Sequence, residues 1–236
     1  MVWILVNNPR LKCVNTLYFK LGIRAFALFT VLLLSACVTP KLNKPEKDVA
    51  WLNDMAYFTA KQAHFDALNN WKYNARVSVT TPQSNDQASM NWRFSDQANS
   101  IRLYGPLGLG AVRIEFDDYG VVLSDNKGVR HRGDSVQELL DKIVGWPIPV
   151  DALTQWLFLV PHADTPFRYR LDEQQRLAVL EQKGWRIEYS DYKDFSGQLM
   201  PRKITASRLD SMVLNPDSGQ SKAQVKVKLI SKRWQW

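Results

Sequence analysis

The run Trp71-Lys72-Tyr73-Asn74-Ala75-Arg76-Val77-Ser78-Val79 decides the fold. Trp71, Tyr73, Ala75, Val77 and Val79 alternate with Lys72, Asn74, Arg76 and Ser78. A period of two puts one set on a buried face and leaves the other in water. The same alternation returns downstream in Ala88, Met90, Trp92 and Phe94, in Ile101 and Leu103, in Val112, Ile114 and Phe116, in Val121 and Leu123, and in a short strand near His131. Polar turns separate these runs: one through Pro82 and Asn85, one at Asp117, Asp118 and Gly120, and Asp125-Asn126-Lys127-Gly128. Half-buried strands joined by short polar turns form an antiparallel meander. Strands resume at 167–171, 177–182, 185–189, 203–207 and 223–229, about eleven in all.

Three helices interrupt or flank the strands. Over 48–69 the apolar residues Leu52, Met55, Phe58, Phe65 and Leu68 recur at roughly helical spacing, with Asp48 as N-cap, so an amphipathic helix is expected to cover one face of the sheet. Over 135–144, Ser135 and Glu138 are spaced as a capping box, and Val136, Leu139, Leu140, Ile143 and Val144 form one stripe that stops at Gly145. A third helix opens at Asp151 and runs through Leu153, Trp156 and Leu157 to Pro161. The expected fold is mainly β with α, in one domain.

Upstream the chain is of another kind. Arg10, Lys12, Lys20 and Arg24 precede an uncharged apolar run at 25–34 with no acidic residue among them. That is a secretory signal. Its apolar run is shorter than the roughly 20 residues that span a bilayer, so removal is expected rather than retention. The leader before the run is long, which puts Met1 in question as the start. Leu34-Ser35-Ala36-Cys37 resembles the lipobox of bacterial lipoproteins, which makes 1–36 a lipoprotein signal peptide and Cys37 the lipidated first residue of the mature chain. Val38 stands where an aspartate would hold such a protein at the inner membrane, so that resemblance implies the outer membrane. Residues 37–47, with Pro40 and Pro45 among lysines, read as the acylated N-terminus and a flexible tether to a domain at 48–236. Cys13 leaves with the signal, so no disulfide forms within the mature chain.

Charge and motifs exclude more than they assign. The 236-residue chain carries 31 basic and 23 acidic residues, a net +8, and removing the four signal cations leaves +4. This is too mild for a nucleic-acid binder, and no arginine-rich patch with interleaved aromatics appears. His64, His131 and His162 have no metal-binding spacing, and no GxSxG elbow or P-loop is present, so neither enzyme chemistry nor a cofactor nor a metal is expected.

One loop stands apart: Gly105-Pro106-Leu107-Gly108-Leu109-Gly110, between two strands. Turn chemistry accounts for the glycines and the proline but not for two leucines where the chain ought to face water. Either both fold back onto the core or one stands out to meet an apolar partner or membrane.

This loop, the lipobox, the turn 125–128, Gly145-Trp146-Pro147-Ile148-Pro149, and Leu153-Thr154-Gln155-Trp156 followed by Pro161 together resemble LolB, the outer-membrane lipoprotein receptor family. The resemblance covers nearly all of the mature chain. It implies an unclosed, curved antiparallel half-barrel of about eleven strands, lidded by about three helices around an apolar cavity. It implies a monomer, lipid-anchored in the outer membrane and facing the periplasm, that accepts lipoproteins from a LolA-like periplasmic carrier and inserts them into the membrane. The membrane-insertion loop would be Leu107, Gly108 and Leu109, with Leu107 matching the family's protruding leucine and Leu109 a departure from it. The acyl-binding cavity would be lined by Met90, Trp92, Phe94, Leu103, Ile114, Phe116, Leu140 and Trp156. The same alternation describes any solid core, so a lipid-anchored binding or scaffold lipoprotein without transfer stays open.

Overall fold

The computed structural model describes residues 50–95, 99–105, 110–117, 119–163, 165–208 and 225–236. Two meanders make one antiparallel sheet of eleven strands. The first holds β1 (Asn70–Thr80), β2 (Asn85–Ser95), β3 (Asn99–Tyr104), β4 (Val112–Asp117), β5 (Gly120–Ser124) and β6 (Arg130–Gly133). The second holds β7 (Phe167–Leu171), β8 (Leu177–Gln182), β9 (Trp185–Phe195), β10 (Gln198–Arg208) and β11 (Lys226–Gln235). The strand order is β6-β5-β4-β3-β2-β1-β11-β10-β9-β8-β7, so the first and last strands pair at the centre, Tyr73 opposite Trp234, and β6 and β7 are unjoined edges.

Alternation builds this sheet as the sequence predicts. In β1 all five apolar positions are buried, and Lys72 and Arg76 are exposed. Two hairpins turn on two residues each. Lys183 and Gly184, and Ser196 and Gly197, all take positive φ, the geometry that matches the twist of the flanking strands, and glycine at the second position meets it without strain. Pro201 has no N–H for the ladder. It still lies opposite Tyr192, the pairing of β10 with β9 lapses at the next position, and the Pro201 carbonyl accepts from Ser231 Oγ at 3.2 Å.

The segment between β6 and β7 leaves one edge of the sheet and re-enters at the other, so it has to cross the apolar face. It carries α2 (Val136–Leu139), which passes into a π-helical turn at Leu140–Val144, and then α3 (Val150–Leu157). Ser135 Oγ accepts from the Glu138 N–H at 3.4 Å, and Gly145 closes the turn with φ 74°. The expected regular helix over 135–144 thus changes pitch at Leu140, which leaves the consecutive Leu139 and Leu140 both buried.

The first helix is shorter than its spacing predicts. α1 covers only Thr59–Asp66, opens at Phe58 without a side-chain cap, and buries none of its own residues. Asp48, the expected cap, lies outside the described residues. Leu52 instead lies extended along β7: its N–H donates to the Tyr169 carbonyl at 2.9 Å and its carbonyl accepts from the Tyr169 N–H at 2.8 Å. Trp51 lies over the guanidiniums of Arg168 and Arg170 at 4.3 and 4.5 Å. The apolar residues before Phe58 therefore cover the open edge of β7, which relieves the exposed-edge problem there.

Candidate functional site: the apolar inner face and its mouth

The inner faces of both meanders and the helices share one hydrophobic cluster. Its centre is aromatic. Trp71 packs against Trp92 and Phe158, and Trp234 packs against Tyr73 and Phe158, with ring centroids 4.1 to 5.5 Å apart. Such pairs add about 0.5–1.5 kcal/mol each beyond their buried area. Tyr73 and Ser231 meet at 2.9 Å, the tyrosine donating, since the Ser231 hydroxyl itself donates to Pro201. Burial pushes the Tyr73, Tyr189 and Tyr192 hydroxyls above the ordinary tyrosine range.

Each of the eight residues expected to line a cavity belongs to that cluster or packs against it. Met90, Trp92, Leu103, Ile114, Leu140 and Trp156 are buried, and Phe94 and Phe116 are partly buried. Met90, Trp92, Leu103 and Ile114 lie on β2–β4, whereas Trp156 lies in the other half, where its Nε1 donates to Gln182 Oε1 at 3.1 Å and its carbonyl accepts from the Tyr189 hydroxyl at 3.1 Å. Gln182 is 3 % exposed and fully engaged. It also accepts from the His162 N–H at 2.7 Å and donates to the His162 and Thr165 carbonyls at 2.8 and 2.9 Å, pinning the chain between α3 and β7.

Free space lies at the mouth. A cleft of about 200 Å³ is lined by Ala88, Leu103, Val112, Val144 and Trp146, with Asp86 and Gln87 at its rim and Gly105 and Gly110 beside it. The indole N–H of Trp146 donates to Asp86 Oδ2 at 3.3 Å, fastening the segment after the π turn to β2. Of the eight expected residues only Leu103 lines this cleft. Val112, Val144 and Trp146 were missed. Carrying the inner-face period from Leu103 across the loop would have found Val112, and the Gly145-Trp146-Pro147 motif marked Trp146. A larger cleft of about 880 Å³ at the β6 edge touches Phe116 and Val121, but Glu115, Asp117, Arg130, Arg132 and Glu138 make it polar.

Cys37, Leu107, Gly108 and Leu109 lie outside the described residues. Among the described residues no three His, Cys, Asp or Glu side chains are placed to hold a metal ion, and no helix is long and apolar enough to cross a membrane. His64 contacts Gln198 at 2.9 Å, His131 lies 4.0 Å from Asp125, and His162 Nδ1 meets the Ala163 carbonyl at 2.9 Å. The three histidines do not share a site.

The sheet as a whole is similar to known proteins. The family model described as outer membrane lipoprotein LolB matches residues 69–234. An outer-membrane lipoprotein LolB of Pseudomonas putida is 32 % identical over 151 residues, 64 % of this chain and 74 % of its own. One from Stutzerimonas stutzeri is 30 % identical over 173 residues, 73 % and 82 % of the two chains. A LolA superfamily protein from Nitrosomonas europaea superposes with a TM-score of 0.47 at 8 % identity, over 78 % of this chain and 93 % of that one. The matched span runs from the strand that opens the sheet to the one that completes it, so the chain belongs to the LolB family of outer-membrane lipoproteins.

Proposed function

We propose that this chain is an outer-membrane lipoprotein receptor: anchored through acylated Cys37, it takes the acyl chains of a lipoprotein from a LolA-like periplasmic carrier and releases them into the outer membrane. The need for it is thermodynamic. At about 0.8 kcal/mol per methylene, exposing one chain of some fifteen methylenes to water costs on the order of 12 kcal/mol, so transfer has to pass from one apolar surface to another. No covalent step, nucleotide or metal is required, because the chains end in the phase they prefer. One receptor acts as a monomer, since it has one inner face and one mouth.

The observation that carries this reading is the edge-to-edge course of the α2–α3 segment over the apolar face, with a cleft of mixed polar and apolar lining where it is fastened by Trp146. A methylene takes roughly the volume of a water molecule, about 30 Å³, so the cleft of about 200 Å³ holds some six or seven, against roughly 450 Å³ for a whole chain. Uptake therefore begins at Leu103, Val112 and Val144 and proceeds as the segment lifts, the tail then lying along Met90, Trp92, Phe94, Ile114, Phe116 and Leu140. Gly105 and Gly110, which flank Leu107 and Leu109 in the sequence, line the cleft, and a leucine of that stretch buried in the bilayer would contribute about 1.5–3 kcal/mol to membrane contact.

The test is a reconstituted assay with cargo-loaded carrier and acceptor vesicles. Leu107→Glu is expected to accept cargo from the carrier but to insert it poorly; normal insertion refutes the loop's role, and failure of the wild type to take up cargo refutes the whole reading. Packing of the inner face into one cluster favours a second reading, a binding or scaffold lipoprotein. Depletion separates the two, because only a receptor's loss strands many lipoproteins in the periplasm.

A further inference from the structure

The outer face of the first meander is charged in a way the inner face does not call for. The register lays two neighbouring rows across these strands. One runs Asn74, Asn91, Arg102, Arg113, Ser124, Arg130, and the next Lys72, Arg93, Ser100, Glu115, Val122, Arg132. Six cations thus share the surface with two carboxylates of β4, Glu115 and Asp117, and at the β6 edge Asp134 and Glu138 line a cleft together with Arg130 and Arg132. Arg102 and Arg113 stand directly opposite one another, and like charges so placed repel. Arg113 reaches Glu115 only at 3.5 Å, with both side chains about half exposed, a weak contact in water. Arg102 Nε is buried with no hydrogen-bond partner. The second meander handles its cations differently: Arg168 and Arg186 both contact Glu181, at 2.5 and 2.9 Å, and Trp51 lies over Arg168 and Arg170.

We infer that the outer face of β1–β6 docks on the anionic phospholipid headgroups of the membrane that holds the chain's anchor. This rests on the anchored part of the reading above and not on acyl transfer. A phosphate between Arg102 and Arg113 turns their repulsion into shared, charge-assisted hydrogen bonds. Six strands at roughly 4.8 Å spacing extend the rows over about 24 Å, which suits a surface offering phosphates at many points better than one discrete ligand. The fourteen residue-to-residue steps from Cys37 to Trp51 reach at most about 45–50 Å, so the bilayer is always near, at an effective concentration of order millimolar. An acidic protein lacks that standing proximity.

The acylated full chain, carrying Ser100→Cys labelled with a fluorophore, is reconstituted into vesicles of phosphatidylcholine alone or with one third phosphatidylglycerol, each doped with a headgroup spin-labelled lipid as quencher. Gln174→Cys, in the turn between β7 and β8, is the control. Quenching is expected at position 100, in the anionic vesicles only, and is abolished by high salt. Arg102→Gln with Arg113→Gln is expected to lower the docking equilibrium constant roughly 25-fold, about fivefold per cation, with the amount of anchored protein unchanged. Equal quenching in both lipids, or at both positions, overturns the inference and leaves a solvated face. Protection of position 100 by added periplasmic carrier on neutral vesicles overturns it in favour of a protein partner. Docking that persists in a chain unable to transfer cargo sinks the transfer reading and leaves this one standing.

Discussion

Gly133→Ala probes how closely the crossing segment is seated. A Cβ built on Gly133, the last residue of β6, meets Leu139 Cγ, Cδ2 and Cδ1 at 3.0, 3.2 and 3.4 Å. Leu139 is 4 % exposed, so it has little room to yield. Overpacking of this kind costs about 1–3 kcal/mol, and the unfolded-chain entropy that alanine removes offsets roughly 0.4–1 kcal/mol of it. The net expectation is about 1 kcal/mol of destabilisation, roughly 2–4 °C in Tm for a domain of this size. Because the clash wedges α2 off the sheet, amide exchange over 136–144 is expected to speed up more than exchange in β1 or β11. Leu139→Ala alone is expected to cost about 2–5 kcal/mol. Combined with Gly133→Ala it costs less than the sum of the two, by about 1 kcal/mol, since the clashing atoms are gone. An unchanged or raised Tm, or strict additivity in the cycle, refutes the seating argument.

Three further expectations follow from the packing. Gln182→Leu leaves the Trp156 indole and the His162 N–H without their acceptor, at about 1–3 kcal/mol each, and a Tm within a degree of wild type would exclude this role for Gln182. Arg102→Gln removes one of two opposed cations and is expected to stabilise the domain by about 0.2–1 kcal/mol by denaturant titration; a loss of stability contradicts the repulsion. Burial raises the Tyr73, Tyr189 and Tyr192 pKa values, so the unfolded chain gives up these protons at lower pH than the folded one. Stability is then unaffected at neutral pH and falls as pH rises past the unfolded value of about 10; ionisation of these three tyrosines before unfolding, read as tyrosinate absorbance that Tyr→Phe at each position removes, contradicts this.

Strands were legible wherever one face is buried and the other wet, as at 70–80 and 112–117, because a period of two then appears in residue type. It failed for the outer parts of β9 and β10. Ser190, Lys193 and Asp194 lie beyond the strand expected at 185–189, yet they pair with β10, and Tyr192 secures the hairpin by donating to the Leu177 carbonyl at 2.7 Å. The first helix misled because residues that clasp a sheet edge, Leu52 above all, happen to fall at helical spacing. For the site, residue types placed Met90, Trp92, Leu103 and Ile114 on one face, but tryptophan and isoleucine line a cavity or fill a core equally well. The difference is one of volume, which no residue type encodes, and the mouth at Val144 and Trp146 depends on how far the crossing segment settles.

Placing the first and last strands side by side gives the chain a seam at its middle instead of at an edge. The ten residues of β11 are the keystone between two meanders that have no other ladder in common among the described residues. Deleting β11 therefore divides the sheet in two, where deleting β6 only trims a border.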